Sequence, residues 1–428
     1  MSILSAILSA LHKTIHSKTF FNDSRVNPSA FSRQRVLGFV QMVALILCCA
    51  KTSLPSTLRS FLVGLLDGKK SCTRQAFSKR RSLIKPEAFQ TLFQLSARMM
   101  TRHTKPPKDR LRILAVDGTR VNLPTHPELV EAYGIQKSTG NLPQALVSTL
   151  YDVENRYALD VQIRPHDGNE REMARRHIET IQSLGDVGQY LIIFDRGYPS
   201  GELLQTVTES EGYFLMRCPT EFLKGVKQVK DDAWITHKFH SVRQALTFRV
   251  IHAELPNGAR EILCTNLPNT CTASEIVDLY AYRWRIEISY DFLKNRVQLE
   301  NLSGITLCAF LQQLYASLLM CNLCGAYYCD NRAWECDADT VPVRRLRLGE
   351  NDVLTCNRRI NMATVLAAIR EILPKALVPK RVRLSPLVRS IDARDLKNIL
   401  RYDKNDRCKP RLRKHPSVKF TQSQRAGV

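Results

Sequence analysis

The sequence predicts a mixed α/β protein: one sheet with helices on both faces, a β-rich insertion, and a helical region ahead of it. Two short apolar runs, RILAV at Arg112–Val116 and YLIIF at Tyr190–Phe194, have the length and composition of buried strands. Helical and strand-like stretches alternate around them, the pattern of a layered α/β sheet with crossovers on both faces. The first hundred residues show helical spacing instead.

Residues 1–105 read as a basic, helical N-terminal domain suited to binding DNA. FSRQRVLGFVQMVALILCCA sets cations ahead of a buried helix, and PSTLRSFLVGLL and KPEAFQTLFQLSARMM repeat apolar residues near helical spacing. KPPKD, with two prolines, marks the linker. The core then spans 106–330. RILAV runs into Asp117-Gly118-Thr119, Ala145–Val153 and Arg156–Ile163 form a hairpin, and a helix starts near Asn169. YLIIF runs into Asp195-Arg196-Gly197-Tyr198, followed by a helix at GELLQTVTES and a strand at YFLMRC. Residues 219–270 hold further strands, LTFRVIHAEL and REILCTNL, as the insertion. A helix over Tyr280–Lys294 and a second over Thr306–Tyr328 complete the core. Residues 331–428 are a basic C-terminal region, helical at first. From 403 to 428 it is dense in Lys and Arg, and is expected to be disordered alone and to order on a phosphate backbone.

Across 428 residues, 63 Lys and Arg face 40 Asp and Glu, a net charge of +23. That surplus favours a polyanion, with nucleic acid as the default partner. An anionic membrane competes only if a span exists. The best stretch, Val36 to Ala50, is interrupted by Gln41 and falls short of the roughly 20 residues a span needs. No membrane partner is expected. The start, MSILSAILSALHKTIHS, lacks a cationic n-region and a cleavage site, so no signal peptide is expected. The 13 cysteines are scattered, several in apolar runs, which suits reduced thiols in a cytoplasmic protein. Cys321, Cys324, Cys329 and Cys336 begin with metal-ligand spacing. They also end a long apolar helical pattern, where small apolar residues belong, and that reading is preferred to zinc.

Three carboxylates stand out. Asp117 and Asp195 each follow a short buried strand, and strand ends at the rim of an α/β sheet can share a ligand. A lone Asp-Gly after a strand is more often a turn. The third is Glu287, in YAYRWRIEISYDFLK. On a helix turning about 100° per residue, Tyr280, Arg283, Glu287 and Lys294 fall within about 60° of arc, with Trp284 and Asp291 at its edge. A carboxylate between cations suits a metal held against a phosphodiester; the alternative is an amphipathic helix with a solvated face. Three carboxylates can hold two hard divalent ions for an in-line displacement at phosphorus.

With these residues the sequence resembles the DDE transposases of bacterial insertion sequences, specifically the insertion sequence four family. That family's signature is Tyr, two residues, Arg, three residues, Glu, six residues, Lys, and Tyr280, Arg283, Glu287 and Lys294 match it without a gap. VDGTRVNLP around Asp117 and FDRGYPS around Asp195 resemble its two aspartate motifs. FSRQRVLGF, NERE at 169–172 and LENLSG extend the likeness over roughly residues 29–325.

The resemblance implies an RNase H-like catalytic core with the β-rich insertion at 219–270. It implies Asp117, Asp195 and Glu287 as catalytic ligands of two Mg²⁺ ions, with Mn²⁺ as a substitute. Tyr280, Arg283 and Lys294 would contact phosphates at the transposon end, and Trp284 would stack on a displaced end base. Trp234 is a weaker stacking candidate, with a buried tryptophan as its plainer reading. Arg196 and Tyr198 read as shaping the loop after Asp195 in preference to contacting DNA, Asp291 as a solvated or Arg-paired acid in preference to a further ligand, and Glu170 and Glu172 as favourable at a helix start. The implied activity is cleavage at the terminal inverted repeats followed by 3′-hydroxyl transfer into target DNA. A homodimer would act on two ends, in a bacterial cytoplasm and at the nucleoid. A DNA-binding protein that no longer cuts, and a nuclease of the same core, remain the alternatives.

Overall fold

Strand β1 (Arg112–Asn122) lies inside the sheet because both of its edges find partners. It pairs antiparallel with β3 (Leu142–Asp152) and parallel with β5 (Tyr190–Phe194). β3 also carries β4 (Tyr157–Pro165), the partner in the predicted hairpin, and the short β2 (Ile135–Gln136). On the other side β5 pairs parallel with β6 (Tyr213–Cys218). The computed structural model describes residues 2–334 and 357–402, except 34, 49–53, 67–71, 109, 137–140, 220–221, 224–225, 227–228, 230, 255–259, 298, 301 and 399. Cys336 and the basic stretch 403–428 lie outside the described residues.

The order β4-β3-β1-β5-β6, with two antiparallel neighbours on one side of β1 and two parallel strands on the other, is that of an RNase H-like core. The inserted piece continues this sheet. β9 (Arg260–Thr265) pairs antiparallel with β6, β8 (Leu246–Glu254) with β9, and β7 (Asp232–His237) with β8. β6 would otherwise be an open edge with unpaired N–H and C=O groups. The sequence showed β8 and β9 as apolar runs. β7, with alternating exposed and half-buried residues at the sheet's edge, carries no such run. Trp234 on β7 is 41% exposed, its indole N–H donating to Asn269 at 2.7 Å, in place of the buried tryptophan of the plainer reading.

Two compact units organise the chain: residues 1–96 with 295–428, and residues 97–294. These cut the sequence differently from 1–105, 106–330 and 331–428. In the first unit, α1 (Ile3–Ile15) buries Leu4, Ile7, Leu8 and Leu11 and packs on α12 (Leu307–Asn331). The Asp330 carboxylate accepts from the backbone N–H groups of Ile3 and Leu4 at 2.8 and 3.0 Å, where a helix start favours negative charge. α3 (Phe39–Cys48) packs on α12 and on α13 (Met362–Leu377), which packs on α14 (Leu384–Lys397). Among the described residues α12 is one helix long and apolar enough to cross a membrane, and 78% of its most apolar stretch is buried in the fold. Its apolarity serves this core. Burial pushes the Cys321 thiol up to about 12 and that of Cys324 well above its ordinary value, so both stay protonated.

In the second unit the crossover helix α8 (Glu170–Leu184) begins as predicted, with the Asn169 side chain accepting from the N–H groups of Arg171 and Glu172. A buried polar chain pins it to the sheet. His177 Nε2 lies 3.1 Å from Ser148 Oγ on β3, and its Nδ1 lies 2.8 Å from Asp160 on β4. These are the residue types of a hydrolytic triad, but Ser148 and His177 are both fully buried, so no substrate reaches them. The chain fixes α8, and thereby what α8 carries at its first turn.

Candidate active site

The register of β1 against β5 sets the first two carboxylates side by side. Val116 pairs with Phe194, the last residue of β5, so Asp117 and Asp195 follow together where the two strands part. β5 ends there, but β1 continues along β3 to Asn122, with Asp117 opposite Thr149 and Gly118 opposite Ser148. Asp117 therefore lies within a strand, and Asp117-Gly118 is not a turn. The short apolar run marked only where burial on both faces ends. The Asp117 Oδ1 accepts from the Gly118 N–H at 2.9 Å, and the Tyr290 hydroxyl donates to the Asp117 carbonyl at 2.5 Å.

The third carboxylate comes from a helical stretch less regular than the sequence suggested. α10 (Ala273–Ala281) opens with a capping box between Thr272 and Glu275. Tyr282 to Ile286 is tightened, with N–H groups reaching three residues back (Arg283 to Tyr280, Ile286 to Arg283). α11 (Trp284–Asp291) follows, and residues Phe292–Arg296 form a π-turn. The tightening and the wide turn shift side chains off the single 100° spacing. Tyr280 and Arg283 face inward, only 8% and 5% exposed, while Trp284 stands out at 58%. Lys294, in the π-turn, donates to the Arg120 carbonyl at 2.7 Å.

Arg283 joins the acids. Its Nη1 donates to Glu287 Oε1 at 2.7 Å, and its Nε lies 3.9 Å from Asp195 Oδ1, which also accepts from the Tyr280 hydroxyl at 3.3 Å. Burial works against the Arg283 charge, yet the Glu287 hydrogen bond and the Asp195 charge outweigh it and raise its pKa. Among the described residues no three His, Cys, Asp or Glu side chains stand close enough to hold a metal ion together. The guanidinium takes the cationic position between Asp195 and Glu287. The donor set is carboxylate oxygen throughout, which suits a hard divalent cation. The buried Arg283 Nε has no hydrogen-bond partner beside it.

Asp117 carries the electrostatic cost of this arrangement. Burial pushes its carboxyl up to about 6; the Gly118 N–H and Arg283 pull it down, and Glu170 and Asp195 raise it further. A carboxyl raised in the folded chain binds a proton that the unfolded chain, with an ordinary value near 4, releases. Its contribution to stability is therefore full below about pH 4 and lost as pH rises through about 6. In EDTA, Asp117→Asn is expected to raise the melting temperature at pH 8 and to match the wild type near pH 4. Paired thermal melts check this; equal melting temperatures at pH 8 would show that Asp117 carries no such cost.

Four neighbours of the acids were not read from sequence as part of the site: Gly118, Glu170, Tyr198 and Tyr290. Glu170 was visible only as an acid at a helix start. Tyr198 was read as loop-shaping, and it is buried against Phe194 with its hydroxyl donating to Glu170 Oε2 at 3.1 Å. Asp291, at the other end of α11, is exposed.

A family model described as the transposase DDE domain matches residues 108–323. Comparison with curated proteins gives no match. Among solved structures the chain is similar to the piggyBac transposase in a cryo-EM structure of its synaptic complex with hairpin DNA. The TM-score is 0.50 at 9% identity, over 90% of this chain and 84% of that one. At that identity the likeness is one of fold.

Proposed function

Since the chain belongs to the transposase DDE domain family, we propose that it is a DNA transposase of the insertion sequence four group. It cleaves DNA at the ends of its element and joins the freed 3′-hydroxyl to target DNA. One observation carries this reading: two aspartates leave adjacent parallel strands together, and one buried arginine ties the second of them to Glu287.

Asp117, Asp195 and Glu287 would hold a pair of divalent ions, Mg²⁺ or Mn²⁺, which when bound polarise the scissile phosphate and acidify the attacking water. The remaining roles belong to the chain. Tyr280 orients the Asp195 carboxylate, and Arg283 holds Glu287 and balances the acids' charge. Contact with phosphates at the element's end is a further role proposed for Tyr280 and Arg283. Trp284, outward and 4.7 Å from the Arg283 guanidinium, offers its ring to an unstacked end base. Lys294, in the π-turn beyond the other end of α11, is assigned a phosphate contact. The net charge of +23 supplies the general attraction to DNA, through the N-terminal helices and the basic C-terminal region. Action at two inverted repeats calls for a homodimer on DNA.

The test is the purified full chain with DNA carrying the ends of its own element, in Mg²⁺, in Mn²⁺ and in EDTA. Metal-dependent nicks at the ends, followed by joined products, are expected. Binding without nicks in either metal would leave a DNA-binding protein. Nicks without joined products would leave a nuclease.

A further inference from the structure

Among the described residues Arg80 has no counter-ion, yet the fold holds it in place. It lies in the last turn of α5 (Arg74–Arg81), its guanidinium 4.6 Å over the ring of Phe31. Backbone pairing sets the two together. Arg25 and Ile84 form a β-bridge, the Val26 N–H donates to the Leu83 carbonyl at 3.1 Å, and the Lys85 N–H to the Ser24 carbonyl at 2.9 Å. The loop leading to Phe31 is thereby tied to the chain just past α5. Arg25 Nη1 braces that loop from within, donating to the carbonyls of Pro28 at 2.6 Å and Ala30 at 3.4 Å. Phe31 is backed edge-on by Phe39 at 5.6 Å, and its φ of 61° is one that a bulky side chain rarely adopts.

Arg80 Nε and Nη2 are buried without a hydrogen-bond partner. Among the described residues neither Arg80 nor Arg35 donates a side-chain hydrogen bond or pairs with a carboxylate. Instead the two cations are neighbours: burial lowers the Arg80 pKa, and the Arg35 charge lowers it further against the pull of Cys72. A cation in a helix's last turn is favoured by the helix dipole. That accounts for Arg80 alone; it brings up no second cation and leaves the donors unused. A guanidinium set on an aromatic ring with its donors free is ready for a phosphate, which accepts from two such groups at once. In a chain of net charge +23 the complementary partner is the phosphate backbone of DNA. Resting on the transposase reading above, we propose that Arg80, on its Phe31 platform, and Arg35 clasp one backbone phosphate of the DNA at the end of the element.

The experiment measures binding of the full-length protein, in EDTA, to a duplex carrying the end of its element and to one of random sequence, over a range of NaCl concentrations. Arg35→Gln and Arg80→Gln are each expected to weaken binding to both duplexes on the order of 10-fold, and to lower the slope of log affinity against log salt by about one. Ethylation interference on the end duplex is expected to lose the same single phosphate in both variants. If either folded variant keeps the wild-type slope, or the two lose different phosphates, the clasp is overturned while the transposase reading stands. A purely structural role for Arg80 weakens binding with the slope unmoved, and overturns it equally. If the wild type binds neither duplex, the transposase reading falls and takes the clasp with it. Should Arg80→Gln fail to fold, the exposed Arg35 decides alone: an unchanged slope and interference pattern in Arg35→Gln overturns the clasp.

Discussion

Glu287→Gln is expected to lower end cleavage on the order of 10³-fold or more while leaving DNA affinity within a few-fold. The substitution removes a charge and little else. Glutamine retains an oxygen where Glu287 Oε1 accepts from Arg283, and the side chain is 40% exposed, so no cavity opens. Arg283 keeps Asp195 as a counter-ion at 3.9 Å. The stability cost of losing one partly exposed ion pair is about 1 kcal/mol or less. A fall in cleavage with an unchanged melting temperature and gel shift therefore assigns Glu287 to the chemistry. Wild-type cutting by the glutamine variant would remove it from the site, and an unfolded variant would make it structural. Glu287→Ala is a poorer probe, because it leaves a buried guanidinium that already has an unpaired Nε with one partner fewer.

What the sequence disclosed followed from how each element is stabilised. YLIIF and YFLMRC are buried on nearly every residue, so apolar runs gave their limits directly as β5 and β6. Asn169 announced α8 because capping is a local interaction. β1 was truncated in the reading for the opposite reason. Beyond Val116 its residues other than Val121 are half-buried or exposed, and what keeps them in the strand is the ladder to β3, thirty residues on. β7 is an edge strand of the same kind. The pairing of the N-terminal helices with α12 and α13 was also out of reach, since apolar faces do not name their partners.

The site was legible where chemistry and spacing coincide and obscure where geometry is tertiary. Asp117, Asp195 and Glu287 stood out as candidates because two follow short buried strands and the third lies at a signature spacing. The orientation of Tyr280 and Arg283 did not, because it depends on a local tightening of the helix that residue types do not specify. Glu170 was ambiguous for a plain reason: an acid in a helix's first turn has a sufficient local explanation. Its hydrogen bond from the Tyr198 hydroxyl, on the loop after Asp195, is tertiary and lay out of reach.

The largest effect on stability is expected away from the acids, at Asp152→Asn. Asp152 and Arg112 form an ion pair at 2.6 Å with both side chains almost wholly buried. Every donor and acceptor around it is used. The Asp152 Oδ1 accepts from the N–H groups of Glu154 and Asn155, and the Tyr157 hydroxyl lies 2.9 Å from Arg112 Nη1. The guanidinium also donates to the carbonyls of Thr101, Thr104 and Val187. Asparagine preserves the shape and leaves the buried arginine without its counter-charge, which costs about 3–5 kcal/mol. Against a total of roughly 5–15 kcal/mol, that removes a large fraction of the protein's stability. Denaturant titration of the two proteins measures it, and a loss below about 1 kcal/mol would contradict the argument. An apolar pair of similar volume, Arg112→Met with Asp152→Leu, is expected to recover part of the loss, since removing both charges also removes their desolvation. The network joins the end of α6 (Glu87–His103), the start of β1 and the β3–β4 turn, the frame in which the β1–β3 register is set. Asp152→Asn is thus expected to lose cleavage in proportion to the fraction unfolded, whereas Glu287→Gln loses it while folded. Measured side by side, the two separate the scaffold from the chemistry.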